Sequence, residues 1–183
     1  MRILIALGGN ALLKRGEAMA YETELTNVRK ASRQILSLYR NNELIITHGN
    51  GPQVGLIALQ QEAFKDVTPY PLDAMGAQSI GLIGYMIQKE LTGLLGADSK
   101  IANVLTQTEV LPDDPAFTHP TKPVGPVYDK VTADQLVKDH GWSMARDNDH
   151  YRRVVASPDP KRILGLSALK TLVESGHLVI CCG

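Results

Sequence analysis

Glycine stands at three places where an apolar, β-prone run stops: Gly8-Gly9 after "RILIAL", Gly49 and Gly51 after "ELIIT", and Gly183 after "HLVICC". Glycine at such a point lets the backbone turn in the left-handed region and lets a phosphate oxygen come close to bare N–H groups. In "HGNGPQVG" a helix is expected to open directly on the turn. Pro52 is then tolerated near its start, and the helix amides beyond it aim at the same spot. Turns of this kind at GGN and GNG together point to a site for a small anion such as phosphate.

Two common nucleotide motifs are absent. A Walker A loop needs a Gly-Lys dipeptide, and the chain has none. The dinucleotide fingerprint needs G-x-G-x-x-G, whereas Gly49, Gly51 and Gly55 are spaced one residue too far. The acidic residue expected about 20 positions on would be Asp73, which follows proline punctuation instead of ending a strand. A Rossmann-type oxidoreductase is therefore the weaker alternative. Neither the five histidines nor the two cysteines have metal-ligand spacing, so no protein-bound metal is expected.

Positioning these turns requires strands that end on one edge. "RILIAL" (2–7) and "ELIIT" (43–47) read as strands buried on both faces. Residues 21–39 have helical spacing, with Leu25, Val28, Ser32, Ile35 and Leu38 on one face. Further helices are expected after Pro52 and from Asp73 to Leu95, where Gly76, Gly81 and Gly84 suggest close packing. Residues 100–111 read as one strand, and the proline-rich stretch 112–131 as a long loop. A short helix over 133–139 has Thr132 as its candidate cap. "WSMARDNDHYRRVVAS" reads as a hairpin about Asp-Asn-Asp, with Arg152 and Arg153 on a solvated edge. Helix 167–175, stopped by Gly176, leads into the last strand, which includes Cys181 and Cys182 on opposite faces.

This alternation predicts an α/β protein: a three-layer α/β/α sandwich on a mainly parallel sheet, with a small protruding loop and hairpin subdomain. The lobe would comprise 1–111 and 161–183, and the lid-like excursion 112–160. Lys+Arg and Asp+Glu balance at 19 each, which argues against nucleic acid as a partner. No apolar run reaches the ~18–20 residues of a membrane span. The N-terminal stretch enters a strand without a small-residue cleavage site, and the two cysteines suit a reducing compartment, so a cytoplasmic location is expected.

Four stretches, "IALGGNALL", "HGNGPQVG", "PTKPVGPVY" and "RRVVASP", occur in the order and at the spacing of the carbamate kinases. The chain thus resembles that branch of the amino acid kinase family from Met1 to Gly183. The resemblance implies the reaction ATP + carbamate ⇌ ADP + carbamoyl phosphate, usually run towards ATP. It implies Lys122 as the catalytic cation, since Ala6 stands where other family members place a lysine. Gly8, Gly9 and Asn10 would cradle the phosphoryl group, and Gly49, Asn50 and Gly51 would hold the carbamoyl end. Carbamate is already an anion, so His48 is expected to orient its surroundings and not to act as a base. Mg2+ would arrive with ATP or ADP, and a homodimer is implied.

"DNDHYRR" stands where many such kinases have a glycine-rich "AGRGWRR"-like stretch, which suggests the branch associated with allantoin or oxamate breakdown. The nucleotide-binding lobe of the family would follow Gly183, so the chain alone is expected to be inactive. A non-catalytic anion-binding module is the alternative reading.

Overall fold

The structure is a computed structural model that describes residues 1–14 and 16–183. In chain order the elements are β1 (Arg2–Leu7), α1 (Gly9–Leu12), α2 (Tyr21–Tyr39), β2 (Glu43–His48), α3 (Gly51–Ala63), α4 (Leu72–Leu95), β3 (Ile101–Asn103) and β4 (Gln107–Glu109). They continue with β5 (Lys122–Tyr128), α5 (Lys130–His140), β6 (Met144–Asp147), β7 (His150–Val155), β8 (Arg162–Leu164), α6 (Leu166–Glu174) and β9 (Leu178–Ile180). The chain divides into two compact units: Met1–Asn50, Gly76–Gln107 and Ile163–Gly183 form the first, Gly51–Met75 and Thr108–Arg162 the second.

The first unit is a three-layer α/β/α sandwich. Its sheet has the order β1-β2-β9-β3, and all three pairings are parallel. Side chains alternate across a strand, so β2 sends Leu44 and Ile46 to one face and Ile45 to the other. On the first face Leu44, Ile46, Leu178 and Ile180 pack against Val28 and Ile35 of α2 and Ile83, Met86, Ile87 and Leu91 of α4. Burial of each such aliphatic side chain contributes about 1.5–3 kcal/mol. On the second face α6 covers Val179 with Leu169 and Val173.

Four expectations change here. β1 is the outermost strand and alternates between exposed and half-buried residues, because among the described residues only β2 flanks it. The predicted strand 100–111 breaks into β3 and β4: β3 pairs with β9 in the parallel sheet, whereas β4 pairs with β8 in a separate two-stranded sheet. Gly84 does pack closely: a Cβ there would fall 2.4 Å from the Asn103 side chain. At Gly76 and Gly81, by contrast, no described atom lies within 4 Å of a Cβ position. Leu38, at the end of α2, is also exposed.

The second unit is built on an antiparallel sheet of order β5-β7-β6. The proline-rich stretch read as a loop thus contributes a strand, with Lys122 its first residue, opposite Val155. Prolines suit this strand because its ladder is interrupted by a bulge between Val124 and Val127, where Gly125 takes φ +70. The β6–β7 hairpin forms about Asn148, whose φ of 57 is a conformation asparagine tolerates. Asp129, not Thr132, caps α5: its carboxylate accepts from the Thr132 N–H at 2.8 Å and from its hydroxyl at 3.0 Å. Arg152 and Arg153 are not a solvated edge. Arg152 donates to the Gly125 carbonyl at 2.8 Å, and the Arg153 guanidinium lies 4.0 Å from the Trp142 ring centroid.

Candidate functional site

Parallel strands deliver their carboxyl ends to one edge, and in the first unit three of those ends lie side by side. The β1–β2 register continues past both strands, with the Gly49 N–H donating to the Leu7 carbonyl at 2.8 Å. The β2–β9 register continues likewise, with the Cys181 N–H donating to the Ile46 carbonyl at 2.9 Å. Gly8-Gly9-Asn10, Gly49-Asn50 and Cys182-Gly183 follow at that edge.

The glycines act here through their missing side chains. None of Gly8, Gly9, Gly49, Gly51 and Gly183 is among the left-handed residues. A Cβ on Gly49 would stand 3.3 Å from the Gly9 nitrogen, so the two turns lie close and a side chain at 49 would require the Gly9 backbone to give by a few tenths of an ångström. At Gly8 the space is open, with no described atom within 4 Å of a Cβ position. Gly49 supplies this closeness; its own amide is engaged by Leu7.

Asn50 is held from behind. Its Nδ2 donates to Ser79 Oγ at 2.9 Å, and that hydroxyl donates to the Gly76 carbonyl at 2.7 Å. Ser79 is fully buried in α4, and a lone serine in an apolar helix carries no sequence signal of its own. His48 is also buried, with Nδ1 3.3 Å from the Gly49 carbonyl oxygen and Nε2 without a hydrogen bond among the described residues. Burial pushes the imidazole below its ordinary range, and the hydrogen bond to Gly49 opposes this only in part. A Cβ on Gly183 would fall 2.4 Å from His48 Cε1, so the third turn lies against the ring.

Cys181 and Cys182 lie past the end of β9, where Cys182 takes φ 54, and both are free thiols. Burial pushes the Cys181 thiol up to about 12, which makes it a poor nucleophile near neutral pH.

Asn50 ends the first segment of the first unit, and Gly51 begins the first segment of the second. In the second unit a Cβ on Gly51 would lie 4.0 Å from the Pro123 carbonyl oxygen, which sets the start of α3 beside the residue following Lys122. Lys122 itself is exposed. Gln53, in the first turn of α3, is buried, and neither of its amide atoms has a partner among the described residues. No group of three or more His, Cys, Asp or Glu side chains among the described residues could hold a metal ion.

The family model for the amino acid kinase family matches residues 1–183. The chain belongs to the amino acid kinase family. Membership in this family sets aside the dinucleotide-dependent alternative. The chain is 57% identical over 183 residues to the carbamate kinase of Haemophilus influenzae, covering 100% of this chain and 59% of that one. With the carbamate kinase of Pyrococcus furiosus it shares 47% over 190 residues, covering 100% and 60%. Among solved structures, carbamate kinase from Giardia lamblia bound to citric acid aligns with a TM-score of 0.92 at 38% identity, covering 98% of this chain and 60% of that one. The same Giardia enzyme bound to AMP-PNP aligns at 0.83 and 39% identity, covering 98% and 59%. This family member thus spans about three fifths of the relatives' length. No helix among the described residues is long and apolar enough to cross a membrane.

Proposed function

We propose that the chain provides the carbamoyl-phosphate-binding part of a carbamate kinase, for ATP + carbamate ⇌ ADP + carbamoyl phosphate, run towards ATP. The observation that carries this reading is the approach of Gly49 to Gly9, which brings two bare-backbone turns together at one edge of a parallel sheet. In the direction of ATP synthesis, a terminal oxygen of ADP attacks the phosphorus, and the bond to the carbamate oxygen breaks. Carbamate leaves as an anion, so no proton need be moved for it, and the neutral His48 suits a positioning role.

Phosphoryl transfer asks the protein for alignment and for neutralisation of charge spread over the phosphoryl oxygens. Gly8, Gly9 and Asn10 cradle that group in this reading, while Gly49, Asn50 and Gly51 hold the carbamoyl end. Lys122 supplies the cation. ATP or ADP comes with its Mg2+ as substrate, and nucleotide contacts come from the two fifths of the relatives' length without counterpart here. A homodimer, a cytoplasmic setting and the allantoin- or oxamate-associated branch belong to the same reading.

The test is binding of carbamoyl phosphate to the 183-residue chain, followed by 31P line broadening with inorganic phosphate as control. Saturable binding that weakens at least tenfold in Lys122→Met supports the reading. No binding, or equal binding by wild type and Lys122→Met, overturns it.

A further inference from the structure

Gln53 is the third residue of α3 and is 3% exposed, yet neither its Nε2 nor its Oε1 has a hydrogen-bond partner among the described residues. Buried amides are normally satisfied, and one left empty at both atoms weakens the fold. The other buried side chains of α3, Val54 and Ala58, join Met75 and Val124 in an apolar cluster that offers the amide nothing. A glutamine at this position can reach back to the N–H that precedes its helix, and Gln53 makes no such bond. Helical side chains lean towards the helix N-terminus, so the amide is carried back over Gly51. Gly51 in turn lies beside the residue after Lys122, since a Cβ on it would stand 4.0 Å from the Pro123 carbonyl oxygen. These residues all belong to the second unit.

We propose that Gln53 is a specificity residue, whose side-chain amide pairs head to tail with the carbamoyl group of the substrate. Each partner presents a carbonyl oxygen beside an NH2 group. Gln53 Nε2 donates to the carbamoyl oxygen while the carbamoyl NH2 donates to Gln53 Oε1, so one molecule satisfies both orphaned atoms. Acetyl phosphate has nearly the same shape, with CH3 in place of NH2. It would leave Oε1 buried without a donor, and a site built for an N–H rejects an analogue that lacks one on that account. Inorganic phosphate has no such group and makes no use of Gln53. The inference rests on the reading of this turn as the carbamoyl end of the site, and adds which group of the substrate is recognised there.

The experiment measures binding of carbamoyl phosphate, acetyl phosphate and inorganic phosphate to the 183-residue chain and to Gln53→Met by 31P line broadening. Wild type is expected to prefer carbamoyl over acetyl phosphate by about tenfold or more, and Gln53→Met to bring the two within about threefold. Both ligands are compared on one protein, so a variant that merely loosens the fold weakens both and leaves their ratio unchanged. Inorganic phosphate should bind wild type and variant alike. Gln53→Leu serves the same comparison, with a cooperative melt as the check that each variant folds. A preference that survives in both variants overturns the proposal, as does a wild type that does not distinguish the two acyl phosphates. In either case, carbamoyl phosphate binding that is lost in Lys122→Met leaves the proposed function standing. A wild type that binds no carbamoyl phosphate overturns both.

Discussion

Asn50 Nδ2 donates to Ser79 Oγ at 2.9 Å, so a residue of the GNG turn is held by a fully buried hydroxyl in α4. Removing that hydroxyl frees the Asn50 amide to rotate and costs about 0.5–1.5 kcal/mol of hydrogen bonding. Ser79→Ala should therefore weaken carbamoyl phosphate binding about three- to tenfold, with the far-UV circular dichroism unaltered. Titration calorimetry on the two proteins checks it.

His48 gives a pH dependence of definite sign. Its folded-state pKa lies below the ordinary value of 6.5, so the native chain binds fewer protons than the unfolded one at mildly acid pH. Stability from this group is present above about pH 6.5 and is lost as pH falls through that value towards the folded pKa. Urea unfolding between pH 7.5 and 5.5 should show a midpoint that declines with acid. His48→Gln, whose side chain does not titrate, should be less stable throughout but flatter over that interval.

Gln53 buries an amide with no partner among the described residues, a penalty of about 1–3 kcal/mol. Gln53→Met keeps the volume and removes the polar atoms, so it should raise the unfolding midpoint. If the amide serves the anion site, the same variant should bind carbamoyl phosphate more weakly. Thermal melts and titrations on one preparation separate the two effects.

Gly55 sits directly on Gly125: a Cβ there would fall 2.0 Å from the Gly125 Cα. Backbone cannot yield as a side chain can, so Gly55→Ala should cost about 3 kcal/mol or more. Gly84→Ala meets only the end of the Asn103 side chain and should cost less. Paired denaturation curves give the ranking.

The parallel layer was legible because its signals are local and strong. Continuous apolar runs marked β1 and β2, and Leu25, Val28, Ser32 and Ile35 marked the buried face of α2. What escaped depends on partners distant in sequence. "RILIAL" looks the same whether one or two strands flank it, so its place at the edge could not be read. The prolines of 112–131 hid β5, because strand pairing with β7 and a glycine bulge together make room for them. At the candidate site, the glycine-bearing turns could be read from the sequence, but the closeness of Gly9 to Gly49 could not, because it arises from the pairing of strands distant in sequence; left-handed turning, expected there, is not what these glycines do.

The contact of Gly55 with Gly125 has one further effect. Two backbones touching without intervening side chains leave no soft layer between α3 and β5 at this point, and close-packed interiors transmit strain. At that point a displacement of helix or strand is passed directly to the other, with no side chain between them to absorb it.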